Sequence, residues 1–148
     1  LAGAIVESRV LDLFAGTGSV GIEALSRGAE QAVFVEKHPK AIATIRANLR
    51  RTTLEAEARV VRADVFKFLA STPQPFDLIY IAPPQYQGLW SKTLLALDAA
   101  PEWLDPIGLA IVQIFPKEFE PLSLSSLQLT EQRKYGSTLL CFYEPLPR

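Results

Sequence analysis

Residues 10–21 read Val-Leu-Asp-Leu-Phe-Ala-Gly-Thr-Gly-Ser-Val-Gly, and this stretch contains three closely spaced glycines. A short apolar run enters a Gly-x-Gly-x-x-Gly turn, and the chain then continues with helical spacing. Gly16 allows a tight turn with positive φ, Gly18 allows close approach of a ligand, and Gly21 allows the following helix to pack on the strand. The pattern predicts the strand, turn and helix of a dinucleotide or nucleoside site.

Acidic side chains narrow the class of ligand. Glu36 ends the next apolar run, where a carboxylate can accept hydrogen bonds from both hydroxyls of a ribose. Asp12 lies inside the first strand, where a carboxylate suits a cation, such as the ammonium of a methionyl group, better than a diphosphate. Asp64 follows the third apolar run and can accept from an adenine amino group or cap the next helix. An NAD site and a turn without a ligand remain alternatives on these residues alone.

The composition is that of an ordinary globular domain. The chain has 148 residues, of which 49% are hydrophobic and 21% charged, so we predict a single domain over 1–148. The net charge of −1 argues against a broad electrostatic grip on nucleic acid by this part of the chain. No apolar run approaches the ~20 residues of a membrane span, and nothing at the start resembles a signal peptide.

Cys141 is the only cysteine, which excludes an internal disulfide and a cysteine metal cluster. This favours a reducing compartment. We expect a cytoplasmic protein, or one of an organellar stroma if a transit peptide has been removed.

Apolar runs and helical stretches alternate along the chain. Strands are predicted at 9–13, 31–36, 59–62, 76–81 and 109–115, and helices at 19–27, 40–51, 89–99 and in a short stretch that ends at 69. The last two runs, 127–133 and 138–143, are predicted to form a hairpin. This order predicts an α/β fold: a seven-stranded, mostly parallel sheet with one antiparallel strand and helices on both faces. Because ligands bind at the carboxyl ends of such strands, one pocket can collect the turn and the acidic residues.

Residues 81–86, Ile-Ala-Pro-Pro-Gln-Tyr, follow the fourth predicted strand. They resemble the (Asp/Asn)-Pro-Pro-Tyr motif of methyltransferases that act on exocyclic amino groups of bases. The lone pair of such an amine is delocalised, so the enzyme must position the nitrogen with hydrogen-bond acceptors, while the aromatic ring stacks on an extruded base. Ala82 stands where the motif has an acid, and Gln85 is inserted before Tyr86. We expect the Pro83 carbonyl and the Gln85 amide oxygen to be the acceptors, with no need for a metal or a covalent nucleophile.

Four further stretches extend the resemblance: 11–18 (Leu-Asp-Leu-Phe-Ala-Gly-Thr-Gly), 23–29 (Glu-Ala-Leu-Ser-Arg-Gly-Ala), 33–37 (Val-Phe-Val-Glu-Lys) and 76–80 (Phe-Asp-Leu-Ile-Tyr). With them the chain is similar to the bacterial small-subunit rRNA guanine-N2 methyltransferase family, from about Val10 to Tyr143. The resemblance implies the Rossmann-like class I methyltransferase fold, S-adenosylmethionine as methyl donor and guanine N2 of 16S ribosomal RNA as acceptor. It also implies ribosomal RNA or the small ribosomal subunit as partner and an N-terminal basic extension, missing here, that helps to hold RNA. We expect the chain to be a monomer.

The candidate site follows from the motifs and the resemblance. Asp12 and residues 16–18 are assigned to the methionyl part, Glu36 to the ribose and Asp64 to the adenine. The full set of predicted cofactor contacts is Asp12, Phe14, Ala15, Gly16, Thr17, Gly18, Glu36, Lys37, Asp64, Val65 and Ala82. The predicted catalytic residues are Pro83, Pro84, Gln85 and Tyr86, and no metal ligands are assigned.

Other interpretations of the sequence stay open. The substrate can be an amine of another RNA or of DNA, because the proline motif alone does not choose among them. The chain can also be a catalytically silent cofactor-binding module, since Ala82 removes the acidic side chain of the motif. The basic side of helix 40–51 fits either a solvated face or an RNA contact. Trp90 and Trp103 are assigned to packing and His38 to a turn or to the cofactor rim.

Overall fold

A computed structural model describes residues 5–147 of the chain. The strands are β1 (Arg9–Leu13), β2 (Gln31–Glu36), β3 (Ala58–Arg62), β4 (Phe76–Ile81), β5 (Leu104–Ile114), β6 (Leu127–Tyr135) and β7 (Thr138–Pro145). The α-helices are α1 (Ser19–Ser26), α2 (Pro39–Thr52), α3 (Val65–Leu69) and α4 (Leu89–Ala99). Short 3₁₀ turns lie at Glu55–Glu57, Pro101–Trp103 and Pro116–Glu118.

The seven strands form one sheet in the order β3-β2-β1-β4-β5-β7-β6. The first five strands in this order run parallel, while β7 runs antiparallel to both β5 and β6. The predicted sheet, with one antiparallel strand, is confirmed. The strand order reverses between β1 and β4, and in open α/β sheets such a reversal places the ligand cleft at the carboxyl ends of the strands.

Two apolar clusters cover the two faces of the sheet. On one face, α1 and α2 contribute Ala24, Leu25, Ile45 and Leu49 to a cluster with alternate residues of β1 and β2. On the other face, α3 and α4 pack against the opposite residues of the same strands and against β4 and β5. Because successive side chains of a strand point to opposite faces, central strands covered on both sides are apolar almost throughout, as β1 and β2 are.

The α1 side of β4 and β5 is more open than the rest of the sheet. Leu78 and Tyr80 of β4 and Leu109 and Ile111 of β5 line an apolar groove of about 570 Å³ beside α1.

Among the described helices, none is long and apolar enough to cross a lipid bilayer.

The prediction of the fifth strand was wrong at its start. The strand begins at Leu104, five residues before the predicted start at 109, and ends at Ile114. Pro106 interrupts the apolar pattern, but the pairing of β5 with β4 shifts register in this region, between Phe76 and Leu78. A proline is tolerated in a strand at such an irregularity, because the ladder is already broken there. The other strands and α-helices lie within two residues of their predicted bounds.

Both tryptophans pack inside the protein, as predicted. The Trp103 indole N–H donates a hydrogen bond of 3.2 Å to the Leu69 carbonyl, and its ring stacks on Phe76. Trp90 is buried and stacks on Phe119. Neither ring is free to stack on a nucleic-acid base.

Candidate functional site

A cavity of about 610 Å³ lies where β1, β2, β3 and β4 end, and this volume is typical of small-molecule sites. The predicted site residues that line it are Phe14, Gly16, Glu36, Lys37, Asp64, Val65, Ala82, Pro83, Pro84 and Gln85. The structure thus brings the glycine turn, both acidic strand ends and the proline loop around one space. Residues outside the predicted set complete the wall: Val35, His38, Ala63, Phe66, Gln87 and Leu89.

Five predicted site residues do not line this cavity: Asp12, Ala15, Thr17, Gly18 and Tyr86. The Ala15 N–H donates a hydrogen bond of 3.0 Å to the Val35 carbonyl, and Ala15 is buried. Asn48 of α2 donates a hydrogen bond of 3.1 Å to the Thr17 carbonyl. The contacts of these five residues with a ligand stay predictions.

The glycine turn has the left-handed backbone that the sequence predicts for Gly16, and Gly18 shares this conformation. Gly16 has φ +58° and Gly18 has φ +81°, and the Gly18 N–H donates a hydrogen bond of 2.8 Å to the Ala15 carbonyl. Phe14 also has positive φ (+60°), which is uncommon for a residue with a side chain. Strained backbone of this kind persists where the surrounding structure holds it, and here it lies at the wall of the cavity.

Gly21 serves packing. A Cβ at this position would lie 2.3 Å from the Phe34 ring of β2, so only glycine lets α1 approach the sheet this closely. The role that the sequence assigns to the third glycine is therefore present in the structure.

Glu36 is held by three backbone N–H donors of the chain itself. One oxygen, Oε1, accepts from the Gly16 N–H at 2.8 Å, and the other, Oε2, accepts from the N–H groups of Lys37 and His38 at 3.0 Å. The residue is only 8% exposed. Because a carboxylate has about four acceptor positions, a ligand hydroxyl can still donate to Glu36. The same group therefore fixes the turn after β1 and offers a preorganised acceptor.

Asp64 caps α3. Its Oδ1 accepts from the N–H groups of Phe66 at 2.9 Å and Lys67 at 3.3 Å. Its Oδ2 has no hydrogen-bond partner within residues 5–147, and the residue lines the cavity. The capping role is thus confirmed, and it leaves an acceptor oxygen for the predicted adenine contact.

Asp12 is buried beneath the glycine turn and is only 2% exposed. Burial raises the pKa of this carboxyl group to about 8, since the charged form loses its water. The N–H of Gly21 donates a hydrogen bond of 3.3 Å to Oδ2, which lowers the pKa, and the negative charge of Glu36 raises it. We therefore expect the carboxyl group of Asp12 to be protonated at neutral pH.

The burial of Asp12 predicts a pH-dependent cost in stability. Between about pH 4 and pH 8 the folded chain keeps a proton that the unfolded chain releases, so the free energy of unfolding falls as pH rises through this window. The slope from this group is at most about 1.4 kcal/mol per pH unit. An Asp12→Asn variant keeps an acceptor for Gly21 and loses the titration. We expect its melting temperature to match that of the wild type near pH 4 and to exceed it increasingly up to pH 8. A difference that stays constant between pH 4 and pH 9 would contradict the raised pKa.

Comparison with known proteins places the chain in a family. The family model described as "Conserved hypothetical protein 95" matches residues 1–144. The chain belongs to this family. Within the Conserved hypothetical protein 95 family, the resemblance to small-subunit rRNA methyltransferases that the motifs indicated is confirmed by named relatives.

Two relatives and one solved structure show the extent of the similarity. The chain is 37% identical over 140 residues to "Putative rRNA methyltransferase YlbH" of Bacillus subtilis, covering 92% of this chain and 75% of that protein. It is 38% identical over 99 residues to "Ribosomal RNA small subunit methyltransferase D" of Escherichia coli K12, covering 66% and 49%. The structure of "Putative methyltransferase yhhF" from Escherichia coli has a TM-score of 0.90 and 29% identity, covering all of this chain and 82% of that one.

The chain spans about half the length of the relatives named small subunit methyltransferase D. The names of these relatives describe rRNA methyltransferases.

Sequence reasoning missed two residues beside the proline loop, Phe115 and Glu118. Glu118 accepts hydrogen bonds from the backbone of both Tyr86 and Phe115. The only local signal is the order Pro116-Lys117-Glu118, which fits a short helical turn with proline first and an acid third.

Within residues 5–147, no three His, Cys, Asp or Glu side chains are grouped to hold a metal ion.

Proposed function

We propose that this chain transfers a methyl group from S-adenosylmethionine to an exocyclic amino group of a base in ribosomal RNA, with guanine N2 of 16S rRNA as the expected acceptor. One observation carries the proposal. The acceptors suited to a nucleoside, Glu36 and Asp64, line the same cavity as the proline loop suited to an amine. The names of the family relatives support RNA as the substrate class.

The residues present fit the methyl donor. A nucleoside brings two ribose hydroxyls, an amino group and a flat apolar ring, and the cavity offers two carboxylates beside Phe14 and Val65. Glu36 would accept from the ribose and Asp64 from the adenine amino group. When bound, S-adenosylmethionine supplies an electrophilic methyl group on a sulfonium sulfur.

Asp12 is the residue that we assign to the methionyl ammonium. A cation beside a carboxylate lowers its pKa, so an ammonium near Asp12 would favour the charged form that burial disfavours. Gly16 and Gly18 belong to the turn that follows the strand of Asp12, and they would hold the rest of the methionyl group.

The acceptor amine would meet the loop after β4. There the Pro83 carbonyl and the Gln85 amide oxygen would accept hydrogen bonds from the amino group and hold its nitrogen in line with the methyl group. Orientation is the contribution required of these residues, because the lone pair of a base amine is delocalised into the ring. Ala82 lines the cavity and has no side-chain acceptor, so the task falls to its neighbours.

RNA contact by the basic side of α2 is part of the proposal. Arg46 and Arg50 of α2 and Arg62 at the end of β3 line a separate cavity of about 420 Å³, and no acidic side chain lines it with them. The guanidinium groups of these three arginines make no hydrogen bond or ion pair within the described part of the chain. They are therefore available to bind phosphates, and the overall charge of −1 does not exclude such a local contact.

We expect the protein to act as a monomer in the cytoplasm, where small ribosomal subunits assemble.

The experiment that tests the proposed function combines the protein, labelled S-adenosylmethionine and small ribosomal subunits that lack their native methyl groups. The RNA is then digested to nucleosides and the label is located. We expect label on N2-methylguanosine. Label on another amine would keep the reaction and change the substrate. Absence of label from subunits, naked rRNA and DNA, with cofactor binding intact, would instead identify a silent binding module.

Gln85 gives a sharper prediction about the loop. If its amide oxygen replaces the missing acid at position 82, Gln85→Ala should lower turnover about a hundredfold. The affinity for S-adenosylhomocysteine should change less than twofold, because Gln85 is not among the predicted cofactor contacts. Gln128→Ala, at an exposed position of β6, is the matched control and should leave both quantities unchanged. Normal turnover of Gln85→Ala would show that the Pro83 carbonyl suffices.

A further inference from the structure

Glu118 connects two loops that are far apart in the sequence. It lies in the 3₁₀ turn that follows β5, and its Oε1 accepts the Tyr86 N–H at 2.7 Å. Its Oε2 accepts the Phe115 N–H at 2.9 Å. One carboxylate therefore links the proline loop after β4 to the chain that leaves β5. Hydrogen bonds from N–H groups to a charged oxygen are stronger than those between neutral groups.

Phe115 and Tyr86 form a ring pair above this link. Their ring centroids are 5.4 Å apart and their planes are inclined by 27°. Phe115 is half-buried, whereas Tyr86 is 64% exposed. Phe115 therefore supports one side of the Tyr86 ring, and much of the remaining ring surface faces solvent.

The backbone of Tyr86 is strained. Its φ is +60°, in the left-handed region that residues with side chains rarely adopt. Such a conformation persists only where surrounding groups hold it, and the Glu118 hydrogen bond is made to the N–H of this same residue. Packing does not account for the strain, because the ring that it presents is mostly exposed. The strained residue directly follows Gln85 at the wall of the cavity.

We propose that Glu118 and Phe115 are positioning residues that hold Tyr86 as a stacking surface for a purine base extruded from RNA. The inference rests on the proposed function. Aromatic rings bind unstacked bases through their faces, and a ring that is already fixed loses less freedom on binding than a mobile one. Glu118 fixes the backbone of Tyr86, Phe115 supports its ring, and the base is held next to the acceptors at Pro83 and Gln85.

The test replaces Glu118 with glutamine. Glu118→Gln leaves one acceptor oxygen for two N–H donors and removes the charge, while the size of the side chain is kept. We expect the KM for RNA to rise about tenfold, since one charge-assisted hydrogen bond is lost. The Kd for S-adenosylhomocysteine should stay within twofold of the wild-type value. Glu120→Gln is the matched control, with the same charge change at an exposed position, and should leave both quantities unchanged.

A second pair of variants asks whether Glu118 acts through Tyr86. Tyr86→Ala removes the stacking ring, so adding Glu118→Gln to it should raise the KM for RNA no further. If the fold-changes in KM of the two single variants multiply in the double variant, the proposal is contradicted. So would a loss of thermal stability and of S-adenosylhomocysteine affinity in Glu118→Gln that parallels the change in KM, because that pattern indicates general structural damage.

The outcomes separate this inference from the proposed function. If the wild type methylates RNA and Glu118→Gln behaves like it, the positioning role is wrong and the function stands. If the wild type binds S-adenosylhomocysteine and methylates no RNA, both are wrong.

Discussion

The carboxylate of Glu36 is the group on which the site depends. Its hydrogen bonds to Gly16, Lys37 and His38 join the turn after β1 to the end of β2. The carboxylate is nearly buried, so these bonds are protected from water and hold two loops in one arrangement. The cavity lies where the strand order of the sheet reverses, between β1 and β4, and Glu36 lines it. A ligand that binds there meets an acceptor that needs no rearrangement.

The proline loop, residues 82–86, is held by a residue of the chain that follows β5. Residues 82–85 leave β4 into the cavity, and Glu118 holds the next residue, Tyr86, from the chain after β5. Glu36 at the end of β2 and Glu118 in the turn after β5 thus act in the same way, because each carboxylate accepts from a backbone N–H group of a neighbouring loop. The two sides of the cavity are thus held by different carboxylates, so substitutions on one side should leave the other largely intact. Ala82 brings no side-chain acceptor to this loop, and the loop is held at Tyr86 by Glu118.

Much of the fold could be predicted from local pattern, because strands buried on both faces must be apolar throughout. The turn at Gly16 and Gly18 was readable from its spacing, and the structure has positive φ at both glycines. The start of β5 was not readable, since the strand continues through Pro106 where the sheet pairing is irregular. Strand ends in one parallel sheet necessarily meet at one edge, which is why Glu36 and Asp64 could be placed together. Glu118 could not be assigned to the site from the sequence, because its hydrogen bond to Tyr86 joins residues 32 positions apart and produces no repeating sequence pattern.

Calorimetric titration of S-adenosylhomocysteine, alone and in competition with NADH, determines which ligand the cavity holds. We expect S-adenosylhomocysteine to bind, NADH not to displace it, and Glu36→Gln to weaken binding at least about tenfold without unfolding the protein. Displacement by NADH, or equal binding by the wild type and the Glu36→Gln variant, would contradict the claim that this cavity is built around Glu36 to hold the methyl donor.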